Sequence, residues 1–300
     1  MRDLTVVPFR TAGAAGRDVL LHSNVLRVAA AGYLNTVPLI WGMQHGPQAG
    51  LFDLAFSSPA ECARRFASGE ADIGIIPSFE LPLAPVEIIP GIGIASRGPV
   101  RSILLISRLP LEQVRTLAAD QGSRTSVALA RWILEQRYGA VPEILSRPPE
   151  LDSMLREAGA ALIIGDPALR IEPPLAGLRV CDLGEEWTEM TGLPMVFAVW
   201  AGRPGAISPE VSAAFQASWR FGRERLEEIA RGEAGRRRIP PELALRYLTQ
   251  HIRFELGAEE YQGLERYLQC VHGAGAAGHA GSGCLTSLAL PRYTRDISAR

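Results

Sequence analysis

Short apolar runs alternate with segments of helical spacing along most of this chain. The runs that predict buried strands are Leu26–Ala31, 52–56, 72–76, 88–95, 102–107, Ala160–Ile164 and 195–201. The segments that predict helices are 35–45, 59–69, 125–138, one after Ser208-Pro209, one after Pro240-Pro241, and 258–271. Strands that alternate with helices are typical of an α/β fold, in which helices cover a mostly parallel sheet.

One helix start is marked clearly in the sequence. Ser58-Pro59-Ala60-Glu61 is a capping box, with Ser at the N-cap and Glu three residues later. Its Pro stands at the first helical position, where the missing N–H costs nothing. We therefore expect a helix to begin at Pro59 and to end near Gly69.

The pattern of strands and helices restarts near Arg108, which predicts two lobes. Residues 26–107 together with 198–272 are expected to form lobe 1, and residues 108–197 lobe 2. The chain then crosses between the lobes near 107–110 and near 192–199. Short crossings of this kind act as hinges that let two lobes close on a ligand.

The two ends of the chain differ from its centre. Residues 1–25 contain no uninterrupted apolar run, so we interpret them as a flexible N-terminal extension rather than a signal peptide. Residues 273–300 are rich in Gly, Ala and Ser, which predicts a disordered tail.

The amino-acid composition excludes several classes of function. The 300 residues are 47% hydrophobic and 21% charged, with a formal net charge of −1. We expect no nucleic-acid partner, because there is no basic stripe, and no membrane partner, because no apolar run could span a bilayer.

The chain contains no Lys, so all 31 basic residues are Arg. This excludes Schiff-base, pyridoxal-phosphate and P-loop chemistry.

Cysteine and histidine show no metal-binding spacing. The cysteines Cys62, Cys181, Cys270 and Cys284 are scattered and form no C-x-x-C pair. The five His residues form no pair at helical spacing. We therefore predict no metal site, and we predict buried free thiols at Cys62 and Cys181. The segment Gly91-Ile92-Gly93 lacks the third glycine and the helix of a dinucleotide-binding loop, so it does not predict a dinucleotide cofactor.

The segment Gly32-Tyr33-Leu34-Asn35-Thr36-Val37-Pro38-Leu39 directly follows the first predicted strand. Ligands of open α/β sheets bind at the carboxyl ends of strands. Asn35 stands at such an end and can both donate and accept hydrogen bonds. The alternative is that Asn35 only caps the following helix. Spacing alone leaves both interpretations open.

Two predicted helix N-termini offer sites for a carboxylate. The first carries Arg124, Thr125 and Ser126, whose alternative role is to cap their own helix or to stay solvated. The second is Gly165-Asp166-Pro167. There Asp166 either caps the helix or positions an Arg, because it would otherwise repel a carboxylate. Ser78 and Glu80 are weaker candidates at the end of another strand.

Six motifs in order resemble those of MqnA-type chorismate dehydratases, which act in the futalosine route to menaquinone. The motifs are the Tyr33 segment, Gly69-Glu70-Ala71-Asp72-Ile73-Gly74-Ile75-Ile76-Pro77, Gly98-Pro99-Val100-Arg101-Ser102, Ser123-Arg124-Thr125-Ser126-Val127, Ile164-Gly165-Asp166-Pro167-Ala168-Leu169 and Thr191-Gly192-Leu193-Pro194-Met195-Val196-Phe197-Ala198-Val199-Trp200. The resemblance covers residues 26–270. The chain lacks the Ser-Pro-Cys-Pro-Asn-Asp opening of the sister MqnD enzymes, which favours the dehydratase.

The resemblance implies a two-lobed, periplasmic-binding-protein-like (type II) fold with a ligand cleft between the lobes. It implies a cytoplasmic hydro-lyase that acts on chorismate without a cofactor, as a monomer or weak homodimer. It assigns catalytic contacts to Asn35 and Ser102. The residues expected to bind substrate are Tyr33, Ser78, Arg124, Thr125, Ser126, Gly165 and Asp166. The motifs contain few titratable side chains, so the substrate's own enolpyruvyl carboxylate is a candidate base.

Three alternatives remain. A solute-binding protein for a small carboxylate would share the fold without chemistry. The sister 1,4-dihydroxy-6-naphthoate synthase would share the fold with a different substrate. A regulator's effector-sensing domain should be fused to a helix-turn-helix, for which residues 1–25 are too short and too non-periodic.

Overall fold

Two β-sheets form the framework of the protein. The computed structural model describes residues 25–120 and 122–273, so the predicted N-terminal extension and C-terminal tail lie outside the described residues, apart from their innermost positions. The strands are β1 (Leu26–Ala31), β2 (Phe52–Ser57), β3 (Ile73–Pro77), β4 (Glu87–Ser96), β5 (Ile103–Ser107), β6 (Thr116–Asp120), β7 (Glu143–Arg147), β8 (Ala160–Ile164), β9 (Arg179–Asp182), β10 (Met195–Gly202) and β11 (Arg253–Glu255).

Each sheet mixes parallel and antiparallel strands. The first has the order β11-β4-β10-β3-β1-β2, and the second has the order β7-β6-β8-β5-β9. Strand β1 runs parallel to β2 and β3, whereas β10 is antiparallel to both β3 and β4. In the second sheet β6 runs parallel to β7 and β8, and β5 is antiparallel to β8 and β9. The expected α/β organisation is therefore present, and the strands form two separate sheets.

Helices connect and cover the strands. They are α1 (Val37–His45), α2 (Pro59–Ser68), α3 (Arg124–Tyr138), α4 (Leu151–Glu157), α5 (Gly165–Leu169), α6 (Leu183–Thr191), α7 (Pro209–Arg223), α8 (Leu226–Arg237), α9 (Pro241–Arg246) and α10 (Ala258–Gly273). Ser58 caps α2 by accepting a hydrogen bond from the Glu61 N–H, which confirms the predicted N-cap and the start of the helix at Pro59. Among the described residues, no helix is both long and apolar enough to span a membrane.

The first crossing between the sheets lies earlier than predicted. Strand β5 belongs to the second sheet, so the chain crosses between Ser96 and Ile103, and the prediction of a crossing near 107–110 is wrong. The apolar sequence of β5 would suit either sheet, which explains the error. The carboxylate of Asp182 holds this crossing in place by accepting hydrogen bonds from the N–H groups of Val100 (2.9 Å) and Arg101 (2.6 Å).

The second crossing passes through residues 192–194, between α6 and β10. Here Trp187 of α6 is fully buried and donates its indole N–H to the Pro194 carbonyl at 3.1 Å. Its ring also lies 6.2 Å from that of Tyr267 on α10, which packs over the first sheet. The two lobes therefore share one continuous core at the crossing. Cys62 and Cys181 are buried free thiols, as predicted.

Candidate active site

A small cavity lies between the two sheets, at the carboxyl ends of β1, β3 and β8. Its volume is about 60 Å³. Of the nine site residues predicted from the sequence, six line it: Tyr33, Asn35, Ser102, Thr125, Ser126 and Gly165. Its apolar wall includes Ile75, Ile94, Val100, Phe197 and Ala198. Convergent polar groups on an apolar wall are the usual composition of a small-molecule site.

A larger cavity of about 630 Å³ lies along the outer face of α3. Arg124 is the predicted site residue that it includes, and its other walls come from α3, β6, β7 and α10. We assign the functional site to the smaller cavity, because the predicted hydroxyl and amide groups converge there.

Asn35 lies in a 3₁₀ turn, Leu34–Thr36, between β1 and α1. It caps neither element, because Tyr33 holds the N-cap position of the turn and Thr36 that of α1. The interpretation of Asn35 as a helix cap is therefore wrong. Its side-chain Nδ2 donates a hydrogen bond to the Tyr247 hydroxyl at 3.0 Å.

Ser102 reaches the same tyrosine from the second lobe. It precedes β5, its exposed fraction is 2%, and its Oγ accepts a hydrogen bond from the Tyr247 hydroxyl at 2.9 Å. One buried tyrosine thus joins the two residues to which the resemblance assigned catalytic contacts. Tyr247 was not predicted from the sequence, because no spacing or local motif relates it to either residue.

The N-terminus of α3 supplies three hydroxyl groups to the cavity. Ser123 is the N-cap and accepts the Ser126 N–H at 3.1 Å. Its Oγ lies 2.8 Å from that of Ser126, and Thr125 Oγ1 accepts the Phe79 N–H at 3.1 Å. The capping and cavity-lining roles therefore coexist on this turn. Its dipole favours a bound carboxylate.

Tyr33 packs against Gly165, which begins α5. Gly165 has a φ of +63°, and a β-carbon there would lie 2.8 Å from three atoms of the Tyr33 ring. Burial raises the pKa of Tyr33 well above its usual value, and the negative charges of Asp120 and Asp166 add to the effect. The phenol therefore stays neutral at physiological pH.

Asp120 is a second residue that was not predicted from the sequence. It ends β6, and its Oδ1 accepts the Gly122 N–H at 2.8 Å. A β-carbon at Gly122 would lie 3.2 Å from both Asp120 Oδ1 and the Tyr33 hydroxyl, so the two groups flank this glycine. Oδ2 is buried without a hydrogen-bond partner among residues 25–120 and 122–273. Burial raises the pKa of this carboxyl.

Three predicted site residues lie outside the cavity. Ser78 is fully buried and donates its hydroxyl to the Val196 carbonyl at 2.7 Å. Arg124 pairs with Glu80 at 2.9 Å, and its side chain is 60% exposed. Neither side chain therefore faces the smaller cavity. Ser78 bonds to the backbone of β10, and Arg124 lies at the surface beside the larger cavity.

Asp166, the third, connects the lobes. Its Oδ1 accepts the Leu34 N–H at 3.0 Å, and its Oδ2 pairs with Arg237 of α8. It makes no cap hydrogen bond to α5, so the cap prediction is wrong and the alternative that it positions an Arg is correct. Arg237 also donates to the Gly32 carbonyl at 2.7 Å and pairs with Glu233 at 2.9 Å.

Replacing Gly165 with Ala is expected to lower the free energy of unfolding by about 2 kcal/mol, because the substitution combines a left-handed φ with a clash. Gly177→Ala is the matched control, since Gly177 has a φ of +71° but no atom within 4 Å of a built β-carbon. Urea unfolding of both variants measures the difference. Equal losses would show that the contact with Tyr33 does not constrain residue 165.

The cavity has almost no acid–base chemistry of its own. Among the described residues that line it, Tyr33 is the sole titratable side chain. Because its phenol is held neutral, the site can orient a ligand through hydroxyl, amide and backbone donors but offers no strong protein base. A proton that leaves a bound molecule therefore finds no ionised acceptor among the described side chains that line the cavity.

Comparison with known proteins identifies the family. Residues 26–272 match the family model described as menaquinone biosynthesis. A curated chorismate dehydratase from Thermus thermophilus is 30% identical over 257 residues, which cover 80% of this chain and 92% of the relative. The family match spans the two sheets and the cavity between them.

Solved structures support the fold. Protein AF1704 from Archaeoglobus fulgidus aligns with a TM-score of 0.65 at 18% identity, over 83% of this chain and 97% of that one. The periplasmic aliphatic sulphonate binding protein SsuA from Escherichia coli aligns with a TM-score of 0.56 at 14% identity, over 84% and 88% of the two chains. The expected two-lobed, periplasmic-binding-protein-like fold is thus confirmed. With the family match covering nearly all of the described residues, the chain belongs to the menaquinone biosynthesis family of MqnA-type chorismate dehydratases.

Proposed function

We propose that this protein is a chorismate dehydratase, a hydro-lyase that eliminates water from chorismate to give 3-[(1-carboxyvinyl)oxy]benzoate. The observation that carries the proposal is the convergence of Asn35 and Ser102 on one cavity, in a member of this family. These are the two residues to which the sequence resemblance assigned catalytic contacts. The cytoplasmic location and the monomeric or weakly dimeric state stay predictions.

The cavity walls suit the parts of this substrate. The N-terminal turn of α3, with Ser123, Thr125 and Ser126, offers hydroxyl groups and a helix dipole to a carboxylate. Ile75 and Phe197 offer an apolar surface to the ring. Asn35 and Ser102 are then the donors left for the ring hydroxyl that departs.

Because no ionised side chain lines the described cavity, we assign the role of base to the substrate itself. The enolpyruvyl carboxylate of the substrate takes the proton from the ring carbon, and the bond between the ring and its hydroxyl breaks. The departing oxygen takes up the proton and leaves as water, and the ring becomes aromatic. Asn35 and Ser102 orient the hydroxyl and stabilise the charge that develops on it. Aromatisation drives the reaction, so no cofactor is required.

Substrate entry requires the lobes to separate. The cavity volume of about 60 Å³ is far below the roughly 300–1,000 Å³ typical of ligand pockets. The crossings before Ile103 and after Gly192 are the segments at which the lobes can move apart.

One experiment tests the proposal against the alternatives. Purified protein is incubated with chorismate, and the aromatic product is followed by absorbance and mass spectrometry. Formation of that product supports the dehydratase. Chorismate binding without turnover would identify a solute-binding or effector-sensing protein. Formation of 1,4-dihydroxy-6-naphthoate from the substrate of the sister synthase, without turnover of chorismate, would identify the sister enzyme.

The pH profile tests the absence of a protein base. We expect kcat to vary little between about pH 6 and pH 9, because the substrate's carboxylate stays ionised and the raised pKa of Tyr33 keeps it neutral. Steady-state kinetics across that range measures this. An acidic limb that disappears in Asp120→Asn would assign proton transfer to that buried carboxyl and contradict the mechanism.

A further inference from the structure

Tyr247 lies directly behind the cavity. It begins a π-helical turn, Tyr247–His251, that follows α9, and it is fully buried. It is not among the residues that line the cavity. Its hydroxyl nevertheless joins Asn35, at 3.0 Å, to Ser102, at 2.9 Å. Those two residues precede α1 of the first lobe and β5 of the second.

The hydroxyl of Tyr247 determines how both neighbours present their polar atoms. A phenol has one proton, and here it is donated to Ser102 Oγ. The proton of Ser102 is therefore left to point elsewhere. Asn35 donates one of its two amide protons to the same phenol oxygen, which fixes the plane of the amide and leaves its second Nδ2 proton free to donate to another partner.

The bridge also depends on lobe closure. Asn35 and Tyr247 belong to the first lobe, whereas Ser102 is the last residue of the first crossing and leads directly into β5 of the second lobe. A separation of the lobes that carries Ser102 away from Tyr247 breaks their hydrogen bond. The bridge can thus exist complete only when both lobes are in place.

We propose that Tyr247 is a positioning residue, which aligns Asn35 and Ser102 as donors when the lobes close. The proposal rests on the proposed function for its kinetic consequences. Tyr247 acts through its two neighbours and does not itself take or give a proton during the reaction. Burial raises its pKa, so it remains a neutral donor throughout the working pH range.

Tyr247→Phe removes the bridge while keeping the ring. We expect kcat to fall about 10- to 100-fold with KM changed less than about 3-fold, because misaligned donors affect the transition state more than ground-state binding. Tyr261→Phe is the matched control. Tyr261 is also buried, and its hydroxyl accepts the Gly91 N–H at 3.0 Å, away from Asn35 and Ser102. This control should keep kcat within about 2-fold of wild type.

A double mutant separates positioning from general structural damage. If Tyr247 acts through Ser102, then Tyr247→Phe should lower kcat less in a Ser102→Ala background than in wild type. Wild-type kcat in Tyr247→Phe, or fold-changes that multiply fully with both Ser102→Ala and Asn35→Ala, would overturn the proposal.

Crystal structures of wild type and Tyr247→Phe give a readout that is independent of turnover. The proposal expects Asn35 or Ser102 to change rotamer in the variant, and identical rotamers would overturn it. If wild type does not convert chorismate, the proposed function fails. The rotamer comparison then still decides whether Tyr247 positions the two groups.

Discussion

Ser102→Ala is expected to fold and to turn over chorismate about 100-fold more slowly than wild type. Loss of one donor aimed at developing charge typically costs about 10²- to 10³-fold in rate. The substitution also leaves the buried Tyr247 hydroxyl without its acceptor, which should lower the free energy of unfolding by about 1 kcal/mol. Steady-state kinetics and thermal unfolding measure the two effects separately. Asn35→Ala should lower kcat by a similar factor.

Ser78→Ala is the control that separates the two effects. Ser78 is as deeply buried as Ser102, and its hydroxyl also makes one hydrogen bond, to the Val196 carbonyl. We expect a similar loss of stability, about 1 kcal/mol, with kcat unchanged. Wild-type turnover in Ser102→Ala, or equal losses of turnover in both serine variants, would contradict the assignment of Ser102 to the site.

The same pair of serines shows what the sequence could not reveal. Both follow or precede a predicted strand, and both were candidates for substrate contact. In the structure Ser102 faces the cavity, whereas Ser78 bonds to the backbone of the neighbouring strand. Which of the two serines faces the site depends on how β3 and β10 pair. That pairing cannot be predicted from the residues next to either serine.

Local signals predicted local structure well. The capping box at Ser58 gave the start of α2, and the apolar runs gave β1, β5, β8 and β10. Of the strands that were missed, β7 and β9 are short and partly exposed, so they lack a continuous apolar run, whereas β6 is mostly buried but only five residues long. Helices and strands were therefore predicted correctly where a run of neighbouring residues carries a clear apolar pattern or a helix cap.

Contacts between residues far apart in the chain could not be predicted from the sequence. Tyr247 is 212 positions from Asn35, and Arg237 is 71 positions from Asp166. Neither pairing follows from periodicity, because each depends on the packing of the helices that follow β10. The sequence did limit the choice at Asp166, since a carboxylate beside an anionic substrate needs either a cap or a cation, and the structure provides Arg237.

Asp166→Ala is expected to lower the free energy of unfolding by about 3 kcal/mol and to raise KM for chorismate. The Asp166 carboxylate belongs to the second lobe, and it holds the Leu34 N–H and the Arg237 guanidinium of the first. Removing one partner of a buried ion pair typically costs about 3–5 kcal/mol. The lower end applies because Glu233 still pairs with Arg237. Destabilising the closed lobes reduces the fraction of protein competent to bind substrate.

Two comparisons make the test specific. Asp72→Asn disrupts the partly exposed pair of Arg27 and Asp72 within the first lobe, and we expect at most about 1 kcal/mol of destabilisation and no change in KM. Asp166→Asn keeps an acceptor for Leu34 but loses the charge that faces Arg237, so its stability should lie between those of wild type and Asp166→Ala.

The kinetics of Asp166→Asn then distinguish a link between lobes from a catalytic base. Asp166 does not line the cavity, so we expect kcat at saturating chorismate to stay within about 10-fold of wild type while KM rises. Normal folding with kcat abolished, together with a wild-type pH profile that shows one titrating acidic group, would make Asp166 the base. That result would refute the substrate-assisted mechanism, because the proton would then leave through the protein rather than through the enolpyruvyl carboxylate.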